Sequence, residues 1–246
     1  MTEPPPDPTT THRLFDHDRV AAGYASARPF LHPEVFARVR DLIRVPEPVH
    51  RALDVGCGTG MSSVALLDLA REVTGVDVSL PMLLRARRAE HLHYLASTAE
   101  DLPFRDGSFD LIAACGSIDW VDRERFLPRA AELLVGGGWL VPLDFGDAGR
   151  SPDIPDLQRW HEEVLQPAFP SPASPDPMVG SDEAARFGFG EPAHHTFESR
   201  PSFTAPGYAD FLMTESSVIA AVEYGERSTE EIRGWLGAEP VSYTHL

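Results

Sequence analysis

From Asp16 to Val45, apolar residues recur at helical spacing: Val20 and Tyr24, then Val35, Phe36, Val39, Leu42 and Ile43. Pro29 and Pro33 divide that run into two predicted helices. Short apolar runs then alternate with helical patterns. Arg51–Val55 reads as a buried strand, Met61–Arg71 as a helix, Glu72–Asp77 as a strand, and Ser79–Ala89 as a helix capped by Ser79 with Pro81 in its first turn. Leu92–Ala96 and Phe109–Ala114 are further strands and Asp122–Leu134 a helix. Gly138–Phe145 is a fifth strand after the turn Gly136-Gly137-Gly138. Such alternation predicts an α/β fold with right-handed crossovers and a mostly parallel sheet covered by helices on both faces.

Beyond Phe145 the pattern changes. Residues 146–192 hold eight prolines, one helical stretch (Asp156–Leu165) and the aromatics Trp160, Phe169, Phe187 and Phe189, which together predict a cap over a binding site. A sixth strand is expected at His194–Ser199, with helices near Gly207–Met213 and Thr229–Leu236. Residues 1–12 are rich in Pro and Thr and predict a disordered lead-in to one domain over 13–246. That domain divides into N-terminal helices (16–45), a core (51–145), the cap (146–192) and a C-terminal part (193–246).

Composition narrows the function classes. With 21 Lys+Arg against 38 Asp+Glu the 246-residue chain carries a formal charge of −17, and every basic residue is Arg. Residues 1–150 hold 22 acids and 16 Arg (−6), and residues 151–246 hold 16 acids and 5 Arg (−11). Phosphate backbones need clustered cations, so nucleic acid and anionic membrane are excluded as expected partners. Cys57 and Cys115 make no disulfide framework, and Met1–Asp7 has neither a cationic nor an apolar leader region. No apolar run approaches the roughly 18 residues of a bilayer span. A soluble, cytoplasmic protein is expected.

The chemistry concentrates in Leu53-Asp54-Val55-Gly56-Cys57-Gly58-Thr59-Gly60, where the first strand turns into a helix. Glycines there let the backbone come into contact with a ligand. A dinucleotide fingerprint would need glycine at Met61, and the phosphate-loop Gly-Lys-Ser/Thr is lacking, which leaves the pattern D-x-G-x-G-x-G. Seventeen residues after Gly60, Asp77 ends the second strand, where a carboxylate is placed to accept two hydrogen bonds from a ribose diol.

With those residues the sequence resembles the class I S-adenosylmethionine-dependent methyltransferases from about Tyr24 to Phe145. The Asp54–Gly60 loop carries the resemblance, with Val76-Asp77-Val78-Ser79 and Met82-Leu83, Ala99-Glu100-Asp101-Leu102-Pro103-Phe104, and Asp106-Gly107-Ser108-Phe109-Asp110-Leu111. It implies a Rossmann-like three-layer sandwich in strand order 3-2-1-4-5-(7)-6 and S-adenosyl-L-methionine as cofactor. The cofactor residues it implies begin with Asp54, Gly56, Cys57, Gly58 and Gly60 at the methionine part and Asp77 at the ribose. Val78 and Met82 pack on the adenine, Thr98, Ala99 and Glu100 read its edge, and Cys115 flanks the methionine amine. Thr98 stands where an Asp is common, and Asp119 where the family often shows His. Tyr24 and Arg28 resemble the family's N-terminal lid.

The implied reaction is in-line displacement at a sulfonium methyl, which requires mainly that the protein hold a nucleophile about 3 Å from the methyl and exclude water. For a hydroxyl acceptor, Asp119 or a His could take the proton; a carboxylate, an amine or an acidic carbon needs no base. The expected partner is a small-molecule acceptor, for a monomer or homodimer. A relative that binds the cofactor without turnover and a nucleotide-linked oxidoreductase are the alternative functions. No metal is expected: Leu165 occupies the second ligand position that H-E-x-x-H would need after His161, and His194 and His195 alternate faces. The family's sheet closes with an antiparallel seventh strand, for which the stretch after Leu236 is short. Val241–Leu246 resembles a translated sequencing adapter, so a cut reading frame, a truncated C-terminal part and a missing seventh strand are expected.

Overall fold

The computed structural model describes residues 12–45, 47–147, 149–172, 176–225 and 227–238. The expected lead-in at 1–12 falls almost wholly outside these residues, and the expected adapter-like end falls entirely outside. The chain forms two compact units: a sheet unit, Phe30–Phe145 with Ser174–Ser199, and a helical unit, Met1–Pro29 with Gly146–Ala173 and Arg200–Leu246.

In the sheet unit, helix α2 (His32–Ile43) precedes β1 (Val49–Val55), α3 (Met61–Leu66), β2 (Ala70–Asp77), α4 (Leu80–Leu84), β3 (Leu92–Ala96), β4 (Phe109–Cys115), α5 (Arg123–Leu133) and β5 (Leu134–Leu143). The sheet has five strands in the order β3-β2-β1-β4-β5 with every pairing parallel, as expected for the first five strands. Side chains alternate faces along a strand, so each strand feeds two cores. On β4, Leu111 and Ala113 pack with Phe36, Val39, Leu66 and Leu69, while Ile112 and Ala114 pack with Phe126, Leu127, Ala130 and Leu133.

Several boundaries differ from the sequence reading. Helix α3 ends at Leu66 because Leu67, Asp68 and Leu69 each donate to the carbonyl three residues back, at 3.2, 3.2 and 2.8 Å; this tight turn lets β2 start at Ala70. Helix α4 ends at Leu84, and Arg87 N donates instead to Thr59 O at 3.0 Å, so a tertiary bond to the glycine loop replaces the expected last turns. Strand β5 starts at Leu134 rather than Gly138. The pairing runs Phe109 to Leu134 and then Leu111 to Trp139, a bulge that takes up the three glycines, with Gly137 at φ 82°.

The sixth strand expected at His194–Ser199 is not formed; the segment carries no ladder. Its alternation is nevertheless visible, since His195 and Phe197 lie on one side with rings 6.5 Å apart and Arg38 sits 5.3 Å over Phe197. Residues 181–186 form helix α8 (Ser181–Arg186), which the sequence reading lacked.

The helical unit contains α1 (Asp18–Ala27), α6 (Leu157–Trp160) continuing through a π-turn (His161–Leu165) into α7 (Gln166–Ala168), α9 (Ala205–Leu212), α10 (Ser216–Tyr224) and α11 (Thr229–Ala238). Helix α9 is capped by Thr204, whose Oγ1 accepts from Gly207 N at 3.1 Å, and α10 is a further helix absent from the sequence reading. The core of this unit joins Leu157, Trp160, Phe169, Tyr208, Leu212, Ile232 and Leu236. Among the described residues no helix is long and apolar enough to cross a membrane.

Candidate functional site

The site grows from the end of β1. Gly56, Gly58 and Gly60 have φ of 67°, 51° and 74°, the left-handed region where a side chain costs about 1–2 kcal/mol. Two of them also allow close packing. A Cβ on Gly56 would lie 2.4 Å from Ser117 Cβ, and one on Gly60 would lie 2.1 Å from Tyr94 Oη. Gly58 differs, because a Cβ there would meet nothing within 4 Å, so its peptide borders open space. The loop is tied down by Cys57 N donating to Val76 O at 3.0 Å and Gly60 N to Cys57 O at 2.8 Å.

Two carboxylates brace the loop. Asp77 Oδ2 accepts from Gly58 N at 2.7 Å and Oδ1 from Ser79 N at 2.8 Å, so the end of β2 is fastened to the middle of the loop. Both carboxylate oxygens of Asp77 are thereby held at the end of β2, beside the loop. Asp54 is fully buried, and its Oδ2 accepts from Ser62 Oγ and Ser63 Oγ, both at 2.6 Å. Burial, opposed by the two serines and aided by the charge of Asp77, pushes its carboxyl up to about 6. The structure thus places Asp54 under the loop as its brace.

The other implied residues fall into three groups. Val78 is exposed and Met82 buried, so only the former offers a free apolar face. Thr98 keeps a buried Oγ1 with no hydrogen-bond partner, Ala99 joins the core beside α5, and Glu100 Oε1 accepts from Asp122 N at 2.9 Å. Cys115 ends β4 just before Gly116, whose N donates to Leu143 O at 2.7 Å. Burial first, with Asp54 second, pushes the thiols of both Cys57 and Cys115 well above their usual range.

Asp119 lies beyond β4 with a buried Oδ1 that has no hydrogen-bond partner. Burial raises its carboxyl, opposed by its own backbone hydrogen bond and aided by Asp144. Tyr24 and Arg28 belong to the helical unit. Arg28 Nη2 donates to Tyr24 Oη at 3.2 Å and Thr214 O at 2.8 Å, and it pairs with Glu215 at 3.2 Å. Its guanidinium lies 4.7 Å from the Tyr24 ring centre and 5.1 Å from that of Phe211. Arg28 therefore ties the end of α1 to the turn after α9.

Sequence reasoning missed three supports of the loop: Ser62, Ser63 and Tyr94. The serines directly follow the glycine motif on α3, and that adjacency was the available signal. It also missed a buried chain in the helical unit, where His161 Nε2 and Tyr208 Oη are 2.5 Å apart and Tyr208 donates to Asp147 Oδ2 at 2.6 Å. Those residues are 61 positions apart at the extremes and carry no local pattern.

The donor set fits an adenosyl amino acid. The open face at Gly58, the carboxylate of Asp77 beside it and the orphaned Thr98 hydroxyl are the groups such a ligand needs at a loop backbone, a ribose and a base edge.

Comparison with known proteins gives the same direction. A methyltransferase-domain family model matches residues 53–141. An O-methyltransferase of Penicillium expansum is 33% identical over 147 residues, covering 56% of this chain and 50% of the relative. A malonyl-[acyl-carrier protein] O-methyltransferase of Pseudescherichia vulneris is 42% identical over 109 residues, covering 44% and 43%. The chain spans about half the length of the curated relatives it matches. A solved structure from Anaeromyxobacter dehalogenans, provisionally described as a type II methyltransferase, aligns with a TM-score of 0.59 at 22% identity over 83% of this chain and 85% of its own, a likeness of fold. Taken with the glycine loop and the sheet order, the match makes residues 53–141 similar to a methyltransferase domain on a Rossmann-like sheet.

Proposed function

We propose that this chain catalyses S-adenosylmethionine-dependent methyl transfer to a small molecule by in-line displacement. The observation that carries the reading is the Gly58–Asp77 clamp: a loop peptide facing open space, fixed to a carboxylate at the end of the neighbouring strand. When bound, the cofactor supplies an activated methyl on a positively charged sulfur. The loop backbone from Gly56 to Gly60 and Cys115 hold its amino acid part, Asp77 its ribose, and Val78 with the Thr98–Glu100 stretch its base.

The chain's remaining task is to position an acceptor and exclude water, the source of most of the rate gain for a reaction whose leaving group is already activated. The relatives named above are O-methyltransferases, which supports an oxygen acceptor. For a hydroxyl, Asp119 takes the proton: its Oδ1 has no partner, and its raised carboxyl is a stronger base than an exposed Asp. The charge of −17 supports a small-molecule acceptor over nucleic acid, and two free thiols support a cytoplasmic setting, as monomer or homodimer.

The test is incubation of the full chain with methyl-labelled cofactor and a panel of small phenols, alcohols, carboxylic acids and amines. Label in an acceptor together with demethylated cofactor is expected. Cofactor binding without transfer to any panel member would favour a binding-only relative.

A further inference from the structure

Beneath the glycine loop the chain buries a negative charge and leaves it short of partners. Asp54 has no exposed surface; both serine bonds fall on Oδ2, and Oδ1 is buried with no hydrogen-bond partner. The titratable groups coupled to it are Asp77 at the end of β2, Cys57 in the loop, Cys115 at the end of β4 and Tyr94 on β3. Burial holds Cys57, Cys115 and Tyr94 in their protonated, neutral forms, and Asp77 adds a second carboxylate. Arg88 lies 5.4 Å over the Tyr94 ring and is coupled to Tyr94. Among the described residues, none of the groups that act on Asp54 is a cation. An uncompensated buried carboxylate is costly, and a neutral residue could fill the same place with less desolvation.

We propose that Asp54 is a charge selector, its buried carboxylate favouring the positively charged sulfonium cofactor over the neutral thioether left after methyl transfer. This rests on the methyltransferase reading above. The two ligands share the adenosine and amino acid parts, so contacts with Asp77 and the loop backbone are common to both; they differ in the methyl group and in the charge on sulfur. A fixed negative charge acts on that charge difference and promotes release of the spent cofactor over the fresh one. By linkage, the preference weakens when the Asp54 carboxyl takes up a proton, and burial sets that event near 6, within reach of experiment.

Calorimetric titration of the full chain with S-adenosylmethionine and, separately, S-adenosylhomocysteine, from about pH 5 to about pH 8, tests this. The ratio of the two dissociation constants should shift in favour of the sulfonium by about five- to tenfold as pH rises through the transition, and should stay flat in Asp54→Asn. Ser63→Ala keeps the carboxylate but removes a donor to its charged form, so the midpoint should move to higher pH. A wild-type ratio independent of pH overturns the selector, as does a midpoint that Ser63→Ala leaves in place. Both ligands binding at a constant ratio would leave the methyltransferase reading intact, whereas no binding of either would defeat that reading as well.

Discussion

Replacing Gly60 with alanine puts a methyl group where the structure has room for none. The residue sits at φ 74°, which for alanine costs about 1–2 kcal/mol. Its Cβ would lie 2.1 Å from Tyr94 Oη, 2.9 Å from Tyr94 Cζ and 3.2 Å from Arg87 N. The tyrosine cannot simply swing away, because its hydroxyl donates to Arg87 O at 2.6 Å. Overpacking of this kind costs about 1–3 kcal/mol, so Gly60→Ala should destabilise the chain by about 2–5 kcal/mol in urea denaturation with an unchanged slope. Tyr94→Phe alone should cost about 1 kcal/mol for the lost hydrogen bond. In that background the new methyl no longer meets the hydroxyl. The double-mutant cycle should therefore show a coupling of about 1 kcal/mol, with the alanine less harmful beside Phe. A Gly60→Ala protein within about 0.5 kcal/mol of wild type would refute the packing argument for this loop.

Other expectations follow from single contacts. Asp119→Asn should lower kcat for a hydroxyl acceptor while leaving cofactor affinity within about twofold, since it removes only the proton acceptor. Asp54→Asn should also change stability: a carboxyl raised from 3.8 to about 6 contributes stability below 3.8 that is lost as pH rises through 6. The shift corresponds to about 3 kcal/mol, so the variant should gain on wild type in urea midpoint between pH 4 and pH 7. A gap that stays constant across that range would contradict the burial account of Asp54.

His161 should show the opposite dependence. Tyr208 spends its one proton on Asp147, so His161 must donate from Nε2, which leaves Nδ1 as the acceptor of a neutral ring. Burial lowers its pKa from 6.5, partly offset by Asp147. Its stabilising contribution is full above 6.5 and is lost as pH falls through the lowered value. Unfolding curves at descending pH should therefore show a loss in wild type that His161→Gln lacks, and parallel losses in both would remove His161 as the cause.

The sheet unit was legible because its information is local. Leu53 to Gly60 and Val76 to Asp77 encode strand, turn and acid within a few residues, and β3 was placed correctly at both ends. Illegible features depended on distant partners. The end of α4 is set by Thr59, 28 residues before Arg87, and the shape of β5 by a bulge against Phe109 and Leu111. His194–Ser199 has strand alternation but no ladder, and alternation alone records extension, not pairing. The site shows the same division. Asp77 and the glycines were readable from spacing, whereas the complete burial of Asp54 and the two serines that hold it cannot be seen in a linear pattern.

The Gly58–Asp77 clamp is expected to bind S-adenosylmethionine. Calorimetric titration of the wild-type chain and of Asp77→Ala, with S-adenosylmethionine and with NAD at neutral pH, measures this directly. One equivalent of S-adenosylmethionine should bind to wild type and at least tenfold more weakly to Asp77→Ala, a loss of about 1.4 kcal/mol or more, with no heat from NAD. Equal affinity in the two proteins, or binding of NAD in place of S-adenosylmethionine, would contradict the account.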